Sequence, residues 1–311
     1  MADLLEIKNL NIEYKTAKIN GSKVVKAVNG VSFSVEEGET YAIAGESGCG
    51  KSTVAKAIMH LIPVKSGEIL YMGDDVEAYD RNSLKEYRKN VQMVFQNPYS
   101  SLNPKMKIRD ILSEPLDINT KLSKEEKEER ITSIISKVGL DKSHLDIYPH
   151  EFSGGQRQRI AIARALVLQP KLIIADEPVS ALDASIQAQI LNMLNELKSE
   201  FNLTMIFISH DLSVIKFLAD RVGIMYLGEL MEEGTTSEIF ENPTHPYTKA
   251  LLNAVPKFGK STEELLSGDI PVELPQGCKF SSRCKYTTDA CDLACPEFAE
   301  ITPTHRVRCT L

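Results

Sequence analysis

Residues Gly45-Glu46-Ser47-Gly48-Cys49-Gly50-Lys51-Ser52 spell the pattern G-x-x-x-x-G-K-[ST]. That spacing suits a polyphosphate. Three glycines let the backbone turn tightly enough to aim its N–H groups at phosphate oxygens, Lys51 is long enough to reach the β- and γ-phosphates, and the Ser52 hydroxyl can hold Mg²⁺. A second chemical signal closes the apolar run Lys171-Leu172-Ile173-Ile174-Ala175, which ends in Asp176 and Glu177. A strand ending this way sets Asp176 beside the metal that Ser52 also touches. It leaves Glu177 free to orient and deprotonate an attacking water. The plain alternatives are a glycine-rich turn that binds nothing and a pair of acids that merely cap a helix.

The elements that must position these residues are also legible. Thr40-Tyr41-Ala42-Ile43-Ala44 reads as a buried strand entering the loop, and Thr53 to Leu61 as a helix whose positive end faces the phosphates. Apolar and polar residues alternate from Leu5 to Tyr14 and from Val24 to Val35, predicting an antiparallel β portion with a hairpin turn at Asn20-Gly21. Residues 40–95 and 160–250 alternate strand and helix patterns, as a mostly parallel sheet requires. Residues 97–159 read as a separate helical stretch. Pro98, Pro104 and Pro115 punctuate its start, and Ser123-Lys124-Glu125-Glu126 is a capping box for a charged, solvated helix reaching about Lys137.

Between the two chemical signals lies Phe152-Ser153-Gly154-Gly155-Gln156, and with it the chain resembles the ATP-binding cassette family. This segment stands where the family has its L-S-G-G-Q signature, with Phe in place of Leu. Gln96 in Met93-Val94-Phe95-Gln96-Asn97-Pro98 looks like the Q-loop, Ser180-Ala181-Leu182-Asp183 like the D-loop, His210 in Phe207-Ile208-Ser209-His210-Asp211 like the switch histidine, and Tyr14 like the aromatic that stacks on adenine. The resemblance covers roughly residues 4 to 250. It implies an α/β fold of the P-loop NTPase, RecA-like kind: a mostly parallel sheet core with an antiparallel β subdomain, a helical subdomain and a Cys-rich C-terminal extension. The implied division is a nucleotide-binding domain over residues 1–252, with its helical part at about 97–159, and an extension over 253–311.

The resemblance also implies roles. ATP would be held by Tyr14, by Gly45 to Thr53, and by Gln96, Asp176 and Asp183. Ser153, Gly154, Gly155 and Gln156 would reach the γ-phosphate of ATP on the opposite subunit. Mg²⁺ would be held by Ser52, Gln96 and Asp176, and catalysis would fall to Glu177, His210 and Gln96. Taken alone, a His at a strand end is more often structural, and Tyr14 could simply be core. Cys49 reads as a small space-filling residue. The last quarter narrows the resemblance. Asn242-Pro243-Thr244-His245-Pro246-Tyr247, leading to Val255-Pro256, looks like the ATPase subunits of bacterial oligopeptide and dipeptide permeases, whose relatives import nickel and other small solutes. Gln96 to Pro104 and Tyr148-Pro149-His150 look most like the "F" member of the ATPase pair. The implied partners are a second, related ATPase, two membrane permease chains that dock on the helical part, and a solute-binding protein. The implied location is the cytoplasmic face of the membrane.

Five of the six cysteines, Cys278, Cys284, Cys291, Cys295 and Cys309, fall in the last 34 residues. Clustered thiolates in a reducing compartment suggest metal. Zinc sites favour C-x-x-C pairs, which are missing, and free thiols are the other alternative. Gly277-Cys278-Lys279-Phe280-Ser281-Ser282-Arg283-Cys284 and His305-Arg306-Val307-Arg308-Cys309 match the permease-family tail, which carries a [4Fe–4S] cluster. Cys295-Pro296 echoes a ferredoxin ending, so local spacing alone favours Cys295 as fourth ligand. The family pattern favours Cys309 beside Cys278, Cys284 and Cys291. A tail with only Phe280, Tyr286, Leu293, Phe298, Ile301, Val307 and Leu311 to bury would use such a cluster as a staple.

At 311 residues and 42% hydrophobic, the chain can build one large domain with an appendage. A net charge of −7 argues against a surface that coats nucleic acid. No run approaches a membrane-spanning length of roughly 18 apolar residues, and the N-terminus lacks the charged and apolar regions of a signal peptide. Two other classes stay open: a soluble cassette ATPase acting on ribosomes or DNA, and an iron–sulfur redox protein that also binds nucleotide.

Overall fold

In the computed structural model, which describes residues 3–18, 21–254 and 275–310, two long antiparallel strands come first. These are β1 (Asp3–Lys18) and β2 (Gly21–Glu36). They pair as far as Lys18 opposite Gly21, so Gly21 begins β2; Asn20 of the expected turn lies outside the described residues. β3 (Thr40–Ala44), buried throughout, delivers the chain to the glycine-rich loop, and α1 (Lys51–Ile58) leaves it. The parallel alternation expected next is interrupted. β4 (Ser66–Tyr71) and β5 (Asp74–Asp75) return to β1 and complete a four-stranded sheet in the order β2-β1-β4-β5. After α2 (Arg81–Asn90), β6 (Val91–Val94) joins the main sheet.

The following stretch is helical: α3 (Pro98–Ser101), α4 (Ile108–Asn119) and α5 (Lys124–Lys137). The Ser123–Glu126 capping box forms in both directions, at 2.7 and 3.2 Å. Pro115 does not stop α4 but lies inside it. The buried face Ile108, Ile111, Leu112 and Leu116 holds the helix together through the missing hydrogen bond. α6 (Gly154–Leu166) then leads to β7 (Leu172–Asp176), α7 (Ala184–Phe201), β8 (Thr204–Ser209), α8 (Leu212–Leu218), β9 (Arg221–Tyr226) and β10 (Glu229–Thr235). α9 (Thr236–Glu241) and α10 (Pro246–Asn253) follow. The tail supplies α11 (Asp289–Leu293), β11 (Ala299–Glu300) and β12 (Arg306–Val307).

The main sheet has eight strands in the order β11-β12-β10-β9-β3-β8-β7-β6. The five from β9 to β6 are parallel and the other three antiparallel. The strands alternate cleanly between two apolar layers, as side chains of a pleated strand must. Ala42, Ala44, Ile173, Ala175, Met205 and Phe207 face the helices. Tyr41, Ile43, Leu172, Ile174, Ile206 and Ile208 face the antiparallel sheet, α1 and α2. The helical stretch shares its core with the first layer: Ile111, Leu116, Ile135 and Ile162 belong to the same cluster as Ala44 and Phe207.

β10 is buried along nearly its whole length although its sequence is Glu229-Leu230-Met231-Glu232-Glu233-Gly234-Thr235. The tail supplies partners for its acids, beside Arg221 of β9, which pairs with Glu233 at 2.8 Å. His305 Nε2 lies 2.7 Å from Glu232, Arg306 Nε donates to Glu233 at 2.6 Å, and Arg308 stands 3.6 Å from Glu229. Only part of the expected tail core forms. Phe280 and Val307 are buried, whereas Tyr286, Leu293 and Ile301 are exposed; Leu311 lies outside the described residues. Polar contacts substitute for that core.

Glu238 in α9 is one of them. Its carboxylate accepts from Thr302 Oγ1 at 2.6 Å, from Thr304 Oγ1 at 3.0 Å, and from the Thr235 N–H and hydroxyl at 2.8 Å. Burial pushes this carboxyl up, but the hydrogen bonds, Thr302's foremost, outweigh it and bring it down to about 2. A depressed acid contributes stability above its ordinary value of 4.5, and that contribution is lost as pH falls toward 2. Glu238→Gln is therefore expected to flatten the acid limb of a melting-temperature profile between those values. An unchanged profile would show that the threonine contacts do not anchor the tail.

Candidate functional site

The glycine-rich loop lies between β3 and α1. Gly50 caps α1 at φ 107°, and a Cβ there would stand 2.4 Å from the Ala27 carbonyl oxygen, so no side chain fits. Lys51 is buried, and its ammonium donates to Gly45 O at 2.7 Å and Glu46 O at 2.9 Å. A cavity of about 720 Å³ opens over the loop. Gly45, Glu46, Ser47, Gly48, Gly50, Lys51, Ser52 and Thr53 line it, together with Gln96, Glu177, His210, Ala27 and Leu251. Cys49 points away into the core and fills space.

The acids stand where the strand ends. Asp176 Oδ1 accepts from Ser52 Oγ at 2.9 Å, and burial pushes its carboxyl up. Divalent magnesium favours oxygen donors, and this pair at a polyphosphate loop is the donor set it takes. Bound there, the ion would neutralise charge on the phosphates. Gln96, expected as a third ligand, reaches Glu177 instead. Its Nε2 donates to Glu177 Oε2 at 2.7 Å, while His210 Nδ1 lies 3.1 Å from Glu177 Oε1. A carboxylate can only accept, so Nδ1 carries the proton there and Nε2 is left toward the cavity. Glu177 itself sits at φ 46°, a left-handed conformation that costs about 1–3 kcal/mol. It is over-determined by its N–H bond to Ile208 O at 2.9 Å and by Gln96 and His210. Glu177, the expected general base, is thus fixed in aim by two neighbours.

Other expected residues lie apart from this cavity. Ser153 caps α6, accepting from Gln156 N at 3.4 Å, and with Gly154, Gly155 and Gln156 it stands outside the lining. Asp183 caps α7 through its bond from Ile186 N at 3.1 Å. Tyr14 is an exposed β1 residue opposite Val25, and it too is outside the lining. Two contacts to the loop have no counterpart in the sequence reading. The Glu46 N–H donates to Tyr247 Oη at 3.0 Å, and Arg283 pairs with the Glu46 carboxylate. Their only sequence signals are the His-Pro-Tyr and Arg-Cys pairs, which do not name a partner.

In the tail, Cys278, Cys284, Cys291 and Cys309 line one small cavity with Phe280, Pro296 and Arg308. Gly277 is required beside it: a Cβ there would meet the Cys291 carbonyl oxygen at 2.1 Å, where Cys278 N–H donates at 2.7 Å. Burial pushes the Cys278 thiol up to about 11, and the Thr288 hydroxyl holds Cys291 below its ordinary value. Cys295 lies elsewhere, donating to Glu229 Oε2 at 3.3 Å. Among the described residues no three His, Cys, Asp or Glu side chains form a group able to hold a metal ion.

A parallel sheet, a phosphate loop at its strand ends, and a Ser–Asp pair beside a held glutamate define a P-loop nucleotide hydrolase. Family comparison specifies which kind. Residues 28–180 match the ABC transporter model, and residues 231–291 match the model for the C-terminal region of oligopeptide/dipeptide transporters. The oligopeptide transport ATP-binding protein AppF of Bacillus subtilis is 51% identical over 295 residues, covering 92% of this chain and 90% of that protein. The dipeptide transport ATP-binding protein DppF of Escherichia coli is 48% identical over 304 residues, covering 96% and 91%. Among solved structures, the dimeric cassette MJ0796 in a post-hydrolysis state with ADP and Pi is similar at TM-score 0.67 and 30% identity, covering 75% of this chain and 98% of that one. The chain belongs to the ATP-binding cassette family and is an ATPase.

Proposed function

We propose that this chain binds and hydrolyses ATP to drive uptake of oligopeptides or dipeptides through membrane permease partners. The observation that carries the reading is the held Glu177 beside a phosphate-loop cavity, on a chain whose C-terminal part matches the peptide-transporter region. Among the described residues no helix is long and apolar enough to cross a membrane, so the work passes to partner chains. The chain then sits on the cytoplasmic face of the membrane. The partner set is a second, related ATPase, two permeases and a solute-binding protein. Residues 1–252 form the nucleotide-binding domain and 97–159 its docking part. Two half-sites meet across the pair, with Ser153 to Gln156 of one subunit completing the phosphate site of the other; Tyr14 stacks on adenine, and Asp183 belongs to the ATP-contacting set. Uptake of a labelled tripeptide by vesicles holding the full complex tests the reading. Lys51→Ala should abolish uptake without dissociating the complex, and unaltered uptake would overturn it.

The tail reading is that Cys278, Cys284, Cys291 and Cys309 hold a [4Fe–4S] cluster that staples residues 275–310. Four thiols on one cavity support it, as does the buried Arg308 Nε at that cavity, which has no hydrogen-bond partner. When bound, the cluster supplies cross-links that stand in for the missing apolar core. Cys295, engaged with Glu229, takes no part. Protein purified without oxygen should be brown and carry about four irons per chain. Cys309→Ser should lose the colour and Cys295→Ser should keep it; the reverse would hand the fourth position to Cys295, and stoichiometric zinc without iron would refute the cluster.

A further inference from the structure

Glu46, an acid, is among the residues lining the cavity over the phosphate loop, and its side chain is 23% exposed. An acid there opposes an anion unless its charge is cancelled, and the cancelling group comes from 237 positions away. Arg283 closes the short turn Ser281–Arg283, immediately before Cys284. Its side chain is 6% exposed, and it grips Glu46 with both prongs: Nη1 to Oε2 at 2.8 Å and Nη2 to Oε1 at 3.1 Å. Nη1 also donates to Tyr226 Oη at 3.3 Å. The rings of Tyr226, Tyr247 and Phe280 pack behind it with centroids 4.6 to 5.4 Å apart. Glu46 is therefore fixed at every polar group: its N–H by Tyr247, its carbonyl by Lys51 and its carboxylate by Arg283.

We infer that Arg283 is a positioning residue of the ATP site: through Glu46 it holds the phosphate loop in shape and removes a negative charge from the path of the phosphates. This rests on the ATP-binding reading of the same cavity. A two-pronged arginine–carboxylate pair is stronger and more directional than a lysine contact. A residue that merely pinned the tail would alter melting and leave nucleotide affinity alone.

The test is calorimetric titration of the full chain with Mg–ATP, with steady-state turnover in the assembled complex and iron content measured on each variant. Arg283→Met should weaken ATP binding about tenfold and raise KM in step, with kcat within about twofold. Glu46→Gln alone should itself weaken ATP binding, by less than Arg283→Met, because the amide still accepts from Arg283 but gives up the charge-assisted pair. The double variant Arg283→Met/Glu46→Gln should recover most of the loss, because the uncompensated charge is gone. Arg283→Lys, which keeps the charge without the fork, should lose roughly threefold and provides the reading should Arg283→Met not fold. Wild-type affinity in Arg283→Met or Arg283→Lys, or a double variant no better than Arg283→Met, overturns the inference. A wild-type chain that binds no Mg–ATP sinks the ATPase reading instead, and lost iron with intact ATP affinity assigns Arg283 to the tail alone.

Discussion

Glu177→Gln should bind ATP as the wild type does and turn it over about 10² to 10⁴ times more slowly in the assembled complex, the range a positioned base contributes. Glutamine keeps the size and can still accept from one of Gln96 and His210, but it cannot take a proton from water. The backbone supports the assignment. A residue is kept at φ 46° only where its surroundings insist, and here the Ile208 carbonyl, Gln96 and His210 all insist. Nucleotide affinity should survive because Lys51, Ser52 and Asp176 are untouched. More than about a tenth of wild-type turnover would remove Glu177 from the role of base.

The second large effect concerns assembly. The isolated chain should hydrolyse ATP at a rate near background, and adding the partner ATPase and permeases should raise turnover by about 10²-fold or more, which is what a missing set of phosphate donors costs. Lys51, Ser52 and Glu177 line the cavity, whereas Ser153 to Gln156 lie outside it. In the proposed arrangement the capped start of α6 gives its donors to the phosphate of a second chain. Turnover that is full and independent of concentration in the isolated chain would contradict a shared site.

The phosphate loop, the acid pair and the signature segment were legible because each is a contiguous run whose chemistry depends on near neighbours. The strand entering the loop was legible for the same reason: Thr40 to Ala44 reads as buried from type and length alone. β4 was misread as part of the parallel set, because a strand's own sequence does not record which sheet it joins. β10 was harder still. Glu229, Glu232 and Glu233 argue for an exposed edge, and their burial is explained by Arg221 and Asn29 together with the distant His305, Arg306 and Arg308. The pairing of Arg283 with Glu46 was hidden likewise, since nothing at either position names the other.

The three acids of β10 also set an order for biosynthesis. Several of their partners are encoded some seventy residues later, so as the chain emerges β10 stands with an unpaired edge and acids answered only in part, by Arg221 at Glu233 and Asn29 at Glu229. Burying them then would cost several kcal/mol each, so this side of the sheet stays open until His305, Arg306 and Arg308 have left the ribosome. A chain lacking residues 302–310 would therefore keep its phosphate loop and leave β10 with a raw strand edge, open to pairing with other chains.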